Sequence, residues 1–341
     1  MRILLTADPM LPVPPDGYGG IERIVDALVG EYRSRGHVVG LMAKSGSRCP
    51  ADALFAWPGA NVRGFADTVR NAAALWNAVQ RFRPDVLHSF SRQAYLLPLL
   101  LARLPKVMSY QRHTGGRQIA LAARLGGRSL RFTGCSEFIC AQGRAAGGAW
   151  QVVPNFVDVS RYTFVPEVPA DAPLVFLSRI DADKGPHLAI AIARASGRRL
   201  ILAGNRSENG PQRVYWETQV APHLGAGVEW VGEVDDVKKN ALLGRAAALL
   251  VPIQWDEPFG IVFVEAFACG TPVLTCRRGA TPEIVEPGRT GLFVSDVADG
   301  AAAVARLGGL DRAACRRAVE TCFSLPVCGT QYLEFYRSGA R

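Results

Sequence analysis

The sequence predicts an α/β protein made of two doubly wound domains, each a parallel sheet with helices on both faces. Three observations lead there. Short apolar runs of strand length alternate with runs of helical period from one end of the chain to the other. An aperiodic, proline-rich stretch interrupts that alternation near the middle. The two sides of the interruption also differ sharply in charge. Continuous apolar runs bounded by turn residues are the pattern of strands buried on both faces, and their alternation with helices is βαβ logic. A chain of 341 residues exceeds the usual size of one core, so two domains are the natural division.

In the first half, Arg2–Ala7 reads as a buried strand. The helix Ile21–Tyr32 follows, with Ile21, Ile24, Val25, Leu28, Val29 and Tyr32 on one stripe. Val38–Ala43, Asp85–Phe90, Lys106–Gln111 and Arg131–Cys135 read as further strands. In the second half the strands are Leu174–Ile180, Leu200–Asn205, Val228–Val234, Ala248–Ile253, Pro272–Cys276 and Leu292–Val294, with helical runs between most of them. The boundary falls in 154–173, which holds prolines at 154, 166, 169 and 173 and has no periodicity.

Charge sharpens the division. Residues 1–153 hold 19 Lys and Arg against 9 Asp and Glu, whereas 154–341 hold 20 against 21. A basic half points to an anionic partner: a nucleotide diphosphate, an acidic acceptor or an anionic membrane surface. Only five of the 39 basic residues are Lys, and genomic GC bias explains part of the Arg load. No basic helix with interleaved aromatics and no known nucleic-acid module is present, so nucleic acid is not expected as a partner. The opening MRILLTADPM is too short for a signal peptide, and no apolar run is long enough to span a membrane. Eight scattered cysteines without a CxxC pair suit reduced thiols in the cytoplasm. Five histidines without HxxxH or HExxH spacing give no metal site.

Residues 254–294, QWDEPFGIVFVEAFACGTPVLTCRRGATPEIVEPGRTGLFV, carry the functional reading. Glu257 and Glu265 stand eight positions apart, the first opening a Pro258-Phe259-Gly260 turn and the second inside an apolar helix. A glycine at the helix start frees the backbone N–H groups of Gly260, Ile261 and Val262, a ready anion site. Glu265 is four residues beyond Ile261 and near the same helix face. An acid among so many apolar residues is costly to bury unless something pairs with it. A hydroxyl-rich ligand beside a phosphate would satisfy both the acid and the helix end.

The segment resembles the retaining, nucleotide-sugar-dependent glycosyltransferases of family 4 (glycosyltransferase group 1), which have the GT-B fold. The Glu-x7-Glu with its Pro-Phe-Gly core, the Gly-Thr-Pro-Val step and the Pro-Glu-Ile-Val…Thr-Gly-Leu-Phe-Val run are all present. The resemblance implies two Rossmann-like domains facing across a cleft: an acceptor-binding domain at 1–153, a linker at 154–173, a nucleotide-sugar domain at 174–327, and a C-terminal helix at 328–341 crossing back to the first. It implies a donor that is a UDP- or GDP-linked sugar and no further cofactor or metal. It also implies roles. Arg179 and Lys184, in SRIDADKG, neutralise the diphosphate, with Ser178 where the family usually has glycine. Glu257 contacts the transferred sugar, Phe259 to Val262 form the donor-binding turn and helix start, and Glu265 takes the ribose hydroxyls. Gly19 and Gly20, between the first strand and the first helix, approach a phosphate; this is no dinucleotide fingerprint, since position 22 is Glu. His113, after the strand Lys106–Gln111, faces the donor sugar. Asn205 and Val234, at the ends of their strands, approach the diphosphate or base. His88 lies within a strand and reads as a core or cleft residue.

The acceptor is a small molecule or an oligosaccharide. Gly116–Phe132, with Arg117, Arg124, Arg128 and Arg131 around an Ile-Ala-Leu-Ala-Ala run, reads either as a basic amphipathic helix for an anionic membrane or acidic acceptor, or as a solvated helix over the core. The Ala/Arg/Gly-rich composition has the look of transferases that build oligosaccharide antibiotics in actinomycetes, and of lipid-directed ones. The competing readings are a sugar epimerase or phosphorylase on the same fold and a non-catalytic sugar-nucleotide sensor.

Overall fold

A computed structural model describes every residue except Tyr18, Arg63, Thr114, Ala340 and Arg341. The loop before Gly19 and the turn after His113 are thus each described but for one residue, and the C-terminal segment is described as far as Gly339. The chain forms two compact units, Met1–Asn155 with Leu325–Arg341, and Phe156–Ser324.

The first unit is built on seven parallel strands: β1 (Arg2–Thr6), β2 (Val38–Ala43), β3 (Ala53–Ala56), β4 (Val86–Ser89), β5 (Lys106–Tyr110), β6 (Leu130–Gly134) and β7 (Trp150–Val152), in the order β3-β2-β1-β4-β5-β6-β7. The strands β3 and β7 were not expected from the sequence; they are edge strands of four and three residues, and none of their residues is fully buried, so they lack the buried apolar run that marks the others. Helices α1 (Gly20–Ser34), α2 (Phe65–Phe82), α3 (Gly116–Gly126) and α4 (Glu137–Ala146) cover the sheet. On α1 five of the six residues of the predicted stripe are buried, Ile24, Val25, Leu28, Val29 and Tyr32, while Ile21 at its start is half-buried. On α3 the buried residues are Ile119, Ala122 and Gly126, so its apolar stripe covers the core, and the reading as a membrane helix loses that stripe.

The C-terminal helix belongs to this unit. It is α12 (Leu325–Ser338), and Tyr332 and Tyr336 on it are fully buried. The Tyr336 hydroxyl lies 2.5 Å from His88 Nδ1 and 3.2 Å from the Tyr32 hydroxyl, while His88 Nε2 lies 2.6 Å from Ser109 Oγ. Burial pushes the His88 pKa down to about 3. His88 is therefore a neutral core residue that ties α12 to the centre of the sheet.

The second unit repeats the plan with six parallel strands, β8 (Leu174–Leu177), β9 (Leu200–Ala203), β10 (Val228–Trp230), β11 (Ala248–Val251), β12 (Val273–Thr275) and β13 (Gly291–Phe293), ordered β10-β9-β8-β11-β12-β13. Helices α5 (Pro186–Ala195), α6 (Gly210–Tyr215), α7 (Asp236–Gly244), α8 (Ile261–Ala268), α9 (Thr281–Ile284), α10 (Val297–Ala305) and α11 (Arg312–Ala318) surround it. Residues 156–173, expected as a linker, are part of this unit. The buried Arg312 explains how: its guanidinium donates to the carbonyls of Val165, Ala246 and Gly244 and to Thr271 Oγ1, at 2.8 to 3.0 Å.

In both sheets the first strand in sequence lies beside the fourth major one, β1 beside β4 and β8 beside β11. The winding direction reverses there. In open α/β sheets the loops leaving the carboxyl ends of those two strands diverge and leave a crevice that binds ligands.

Candidate active site

The reversal point in the second unit organises the site. The loop after β8 carries Arg179 and Lys184, and the loop after β11 carries Trp255, Glu257 and the turn into α8. The expected strand Leu174–Ile180 ends at Leu177, so Arg179 belongs to the loop itself. Two backbone bonds brace these loops: Gln254 N–H donates to Asp183 O at 2.7 Å, and Ile180 N–H to Asn205 O at 2.9 Å.

Lys184 Nζ meets Glu257 Oε2 at 2.6 Å, with both side chains almost out of solvent. Trp255 Nε1 donates to the same oxygen at 2.8 Å, and the Lys184 ammonium lies 4.7 Å from the centre of the Trp255 ring. The pair spans the reversal point. Glu257 is further fixed through its backbone: its carbonyl accepts from Ala280 N–H at 2.8 Å. Gly279 packs on that peptide with φ +57°, and a Cβ there would lie 2.3 Å from Glu257 O and 2.5 Å from Glu257 N. Only glycine fits, for both reasons.

Two residues after Phe259, the chain enters α8 through Gly260, whose φ of +91° makes it the helix cap. Phe263 N–H closes the first turn onto Gly260 O at 3.0 Å. The N–H groups of the preceding residues lie at the open helix end, where none has an intrahelical partner. Gly260, Ile261 and Val262 are half-buried there, within reach of a ligand.

Glu265, one turn further on, is an acid whose burial calls for a partner. The protein itself supplies partners: Lys239 Nζ from α7 at 2.5 Å and the Tyr162 hydroxyl at 2.8 Å, both on Oε1. Arg179 pairs with Asp181 and remains partly exposed. Asn205 is exposed just past β9. Val234 lies in a loop, because β10 ends at Trp230 and not at Val234; that loop is tied to β9 by Gly204 N–H donating to Gly232 O at 2.8 Å. Arg179, Lys184, Asn205, Val234, Glu257 and the α8 start thus share one sheet edge of one unit.

Gly19, Gly20 and His113 lie in the first unit. Gly19 and Gly20 open α1 after β1, and Glu22 in its first turn is buried, with its pKa raised by that burial. His113 follows β5, is exposed, and sits 3.3 Å from Gln142 Oε1 and edge-on to Phe138.

A family model described as "Glycosyl transferases group 1" matches residues 165–308, and one described as "Glycosyltransferase Family 4" matches residues 18–161. Between them they take in most of the chain. It belongs to the group 1, family 4 glycosyltransferases. This group 1 glycosyltransferase is 36% identical over 177 residues to a glycogen synthase of Mycobacterium tuberculosis, a match covering 49% of the chain and 42% of the relative. It therefore aligns with less than half the length of that curated relative. Among solved structures it resembles AviGT4, "a glycosyltransferase involved in Avilamycin A biosynthesis", at 26% identity and TM-score 0.71, covering 99% of this chain and 98% of that one. The Anabaena protein Alr3699/HepE, solved with UDP and glucose, shares the fold at 21% identity and TM-score 0.74, covering 99% of this chain and all of that one. The GT-B neighbours agree with the two parallel-sheet, Rossmann-like units of this glycosyltransferase.

Sequence reasoning missed Trp255, Tyr162 and Lys239. Trp255 sits inside the segment already singled out, two residues before Glu257. Tyr162 and Lys239 lie 103 and 26 positions from Glu265, and only the fold brings them to it. The one signal was scarcity: with five lysines in the chain, two of them end on the two acids.

Proposed function

We propose that the protein is a retaining glycosyltransferase that moves a sugar from a nucleotide diphosphate sugar to an acceptor hydroxyl, without a metal ion. The observation that carries this reading is the Lys184–Glu257 pair across the strand-order reversal, with the open start of α8 on the same loop. The leaving diphosphate needs positive charge that is already in place. Arg179, Lys184 and the N–H groups of Gly260, Ile261 and Val262 provide it. Glu257 takes hydroxyls of the transferred sugar, Glu265 the ribose, and Asn205 and the Val234 loop the base side of the nucleotide. In the first unit, which takes the acceptor, Gly19 and Gly20 approach a phosphate and His113 faces the donor sugar. The bond from the anomeric carbon to the phosphate oxygen breaks, the acceptor oxygen bonds to the same face of that carbon, and the acceptor's proton passes to the departing phosphate oxygen. No enzymic nucleophile is required. The relation to AviGT4 supports an acceptor in oligosaccharide-antibiotic assembly, and the HepE complex supports UDP as the nucleotide.

The test is a thermal-shift panel of UDP, GDP and their sugars, since a ligand that binds only the folded protein raises its melting temperature. One nucleotide diphosphate should stabilise the protein, and Glu257→Ala should keep that shift while abolishing transfer. Loss of nucleotide affinity in Glu257→Ala would reassign that acid; a covalent sugar–enzyme adduct would overturn the mechanism.

One observation favours a lipid-linked acceptor as a second reading. Phe65, Val69 and Trp76 of α2 line, with Leu97 and Pro98, a groove of about 460 Å³, and Phe65 is 83% exposed. Residues 63–131 carry twelve Lys and Arg against two Asp. Apolar anchors within a basic stretch suit an anionic bilayer. Co-sedimentation with phosphatidylglycerol vesicles at low salt supports this reading, and its absence removes it. No helix among the described residues is long and apolar enough to cross a membrane.

A further inference from the structure

The two acids eight positions apart are held in the same way by different residues. Glu257 receives a lysine and an aromatic donor, Lys184 and Trp255, on one oxygen. Glu265 receives Lys239 and Tyr162 on one oxygen, at 2.5 and 2.8 Å. Lys239 also reaches Asp236 Oδ1 at 3.1 Å. Burial works against the Lys239 charge, yet the Glu265 and Asp236 carboxylates together hold its pKa above the ordinary value. Burial, then the Glu265 charge, raises the Tyr162 pKa. Lys239 and Tyr162 therefore remain proton donors throughout the neutral range.

Among the described residues no protein donor reaches Glu265 Oε2, and the Glu265 side chain keeps 12% of its exposure, so it is nearly but not fully buried. A carboxylate with one oxygen fixed by two donors cannot rotate freely. Its second oxygen keeps both lone pairs in a set direction. Two adjacent hydroxyls match that acceptor, because a single oxygen can take a hydrogen bond from each. The ammonium also offsets the negative charge that would otherwise stand beside a diphosphate.

We infer that Lys239 and Tyr162 are positioning residues that fix the Glu265 carboxylate for the cis-diol of the nucleotide's ribose, and so set the preference for ribonucleotides over 2′-deoxyribonucleotides. This rests on the proposed reading in which Glu265 takes the ribose. A merely structural role for the pair would change stability and leave that preference alone.

The experiment measures the affinity of the full chain for UDP and 2′-deoxy-UDP, and for GDP and 2′-deoxy-GDP, by titration calorimetry. The proteins are the wild type, Glu265→Gln, Lys239→Met, Lys239→Arg and Tyr162→Phe, each with its melting temperature. One hydrogen bond to a charged group corresponds to about a tenfold preference for the ribonucleotide in the wild type. Lys239→Met and Tyr162→Phe should each shrink that preference severalfold while deoxynucleotide affinity holds, and Lys239→Arg should restore most of it. If Lys239→Met does not fold, Tyr162→Phe, which removes a single hydroxyl, decides. If Glu265→Gln loses the preference while Lys239→Met and Tyr162→Phe keep it, the inference is overturned and the ribose reading stands. If the wild type shows no preference, or Glu265→Gln retains it, the ribose reading falls and the inference with it.

Discussion

Replacing Lys184 with methionine keeps the bulk of the side chain and removes its charge. Among the described residues Glu257 would then be left with Trp255 as the only donor to Oε2, while staying nearly buried. Removing one partner of a fully buried ion pair costs about 3–5 kcal/mol, chiefly because the remaining charge is stranded. Here the two side chains keep 13% and 11% of their exposure and the indole still donates, so about 2–3 kcal/mol is expected. Glu257→Gln strands the ammonium less severely, because Lys184 also faces the Trp255 ring and the amide oxygen still accepts, so about 1–2 kcal/mol is expected. The double variant has no stranded charge and should be destabilised by less than the sum of the singles, with an interaction energy of about 1–3 kcal/mol. Urea unfolding of the four proteins at pH 7 measures the cycle. An interaction energy below about 0.3 kcal/mol would refute contact between the two groups, and with it the arrangement from which the function is proposed.

Three further outcomes follow from the geometry. The His88 pKa is about 3 in the folded state and about 6.5 in the unfolded state, so its contribution is complete above pH 6.5 and is lost as pH falls; by pH 5 about 2 kcal/mol should be gone, and His88→Leu, though less stable at pH 7, should show a shallower acid loss in urea unfolding. Gly279→Ala places a methyl group against the Glu257 peptide at a positive φ, so it should lower stability by at least about 2 kcal/mol and cut transfer in an assay with the matched donor. Arg312→Lys exchanges a five-donor fork for three donors and leaves at least one of its four acceptors unpaired, so the melting temperature should fall by several degrees, with about 1–3 kcal/mol lost in urea unfolding.

The fold was legible because strands buried on both faces write themselves as short apolar runs. Eleven of the thirteen described strands coincide with such runs, while β3 and β7 do not, because none of their residues is fully buried. Strand ends were less legible. The expected strands carry on through Ser178-Arg179 to Ile180 and through Gly232-Glu233 to Val234, but parallel pairing stops where the neighbouring strand does: Leu177 pairs with Ala203 and Trp230 with Leu202, both at or near the end of β9. The residues beyond turn out to be loop. Within the site, the two acids and the α8 start could be read from one continuous segment. The donors to Glu265 could not, because Lys239 reaches it by packing of α7 on α8 and Tyr162 from the segment before β8, contacts that no local periodicity encodes.

That division has a chemical consequence. An acid that binds a polyol must stay ionised, must not swing, and must not repel the diphosphate beside it. No one of these follows from having a glutamate in the right place. At both positions the protein places a lysine and an aromatic donor on a single oxygen, and in the proposed reading the other oxygen is left to the ligand. At Glu257 the lysine comes from the loop after β8, so in the proposed reading the group that fixes the acid also meets the leaving phosphate. At Glu265 it comes from α7, away from that loop, and can act only through the acid. The same local device therefore has different reach at the two ends of α8. Charge removal at Lys184 should depress the chemical step and nucleotide affinity together, whereas charge removal at Lys239 should be felt only where the ribose is held.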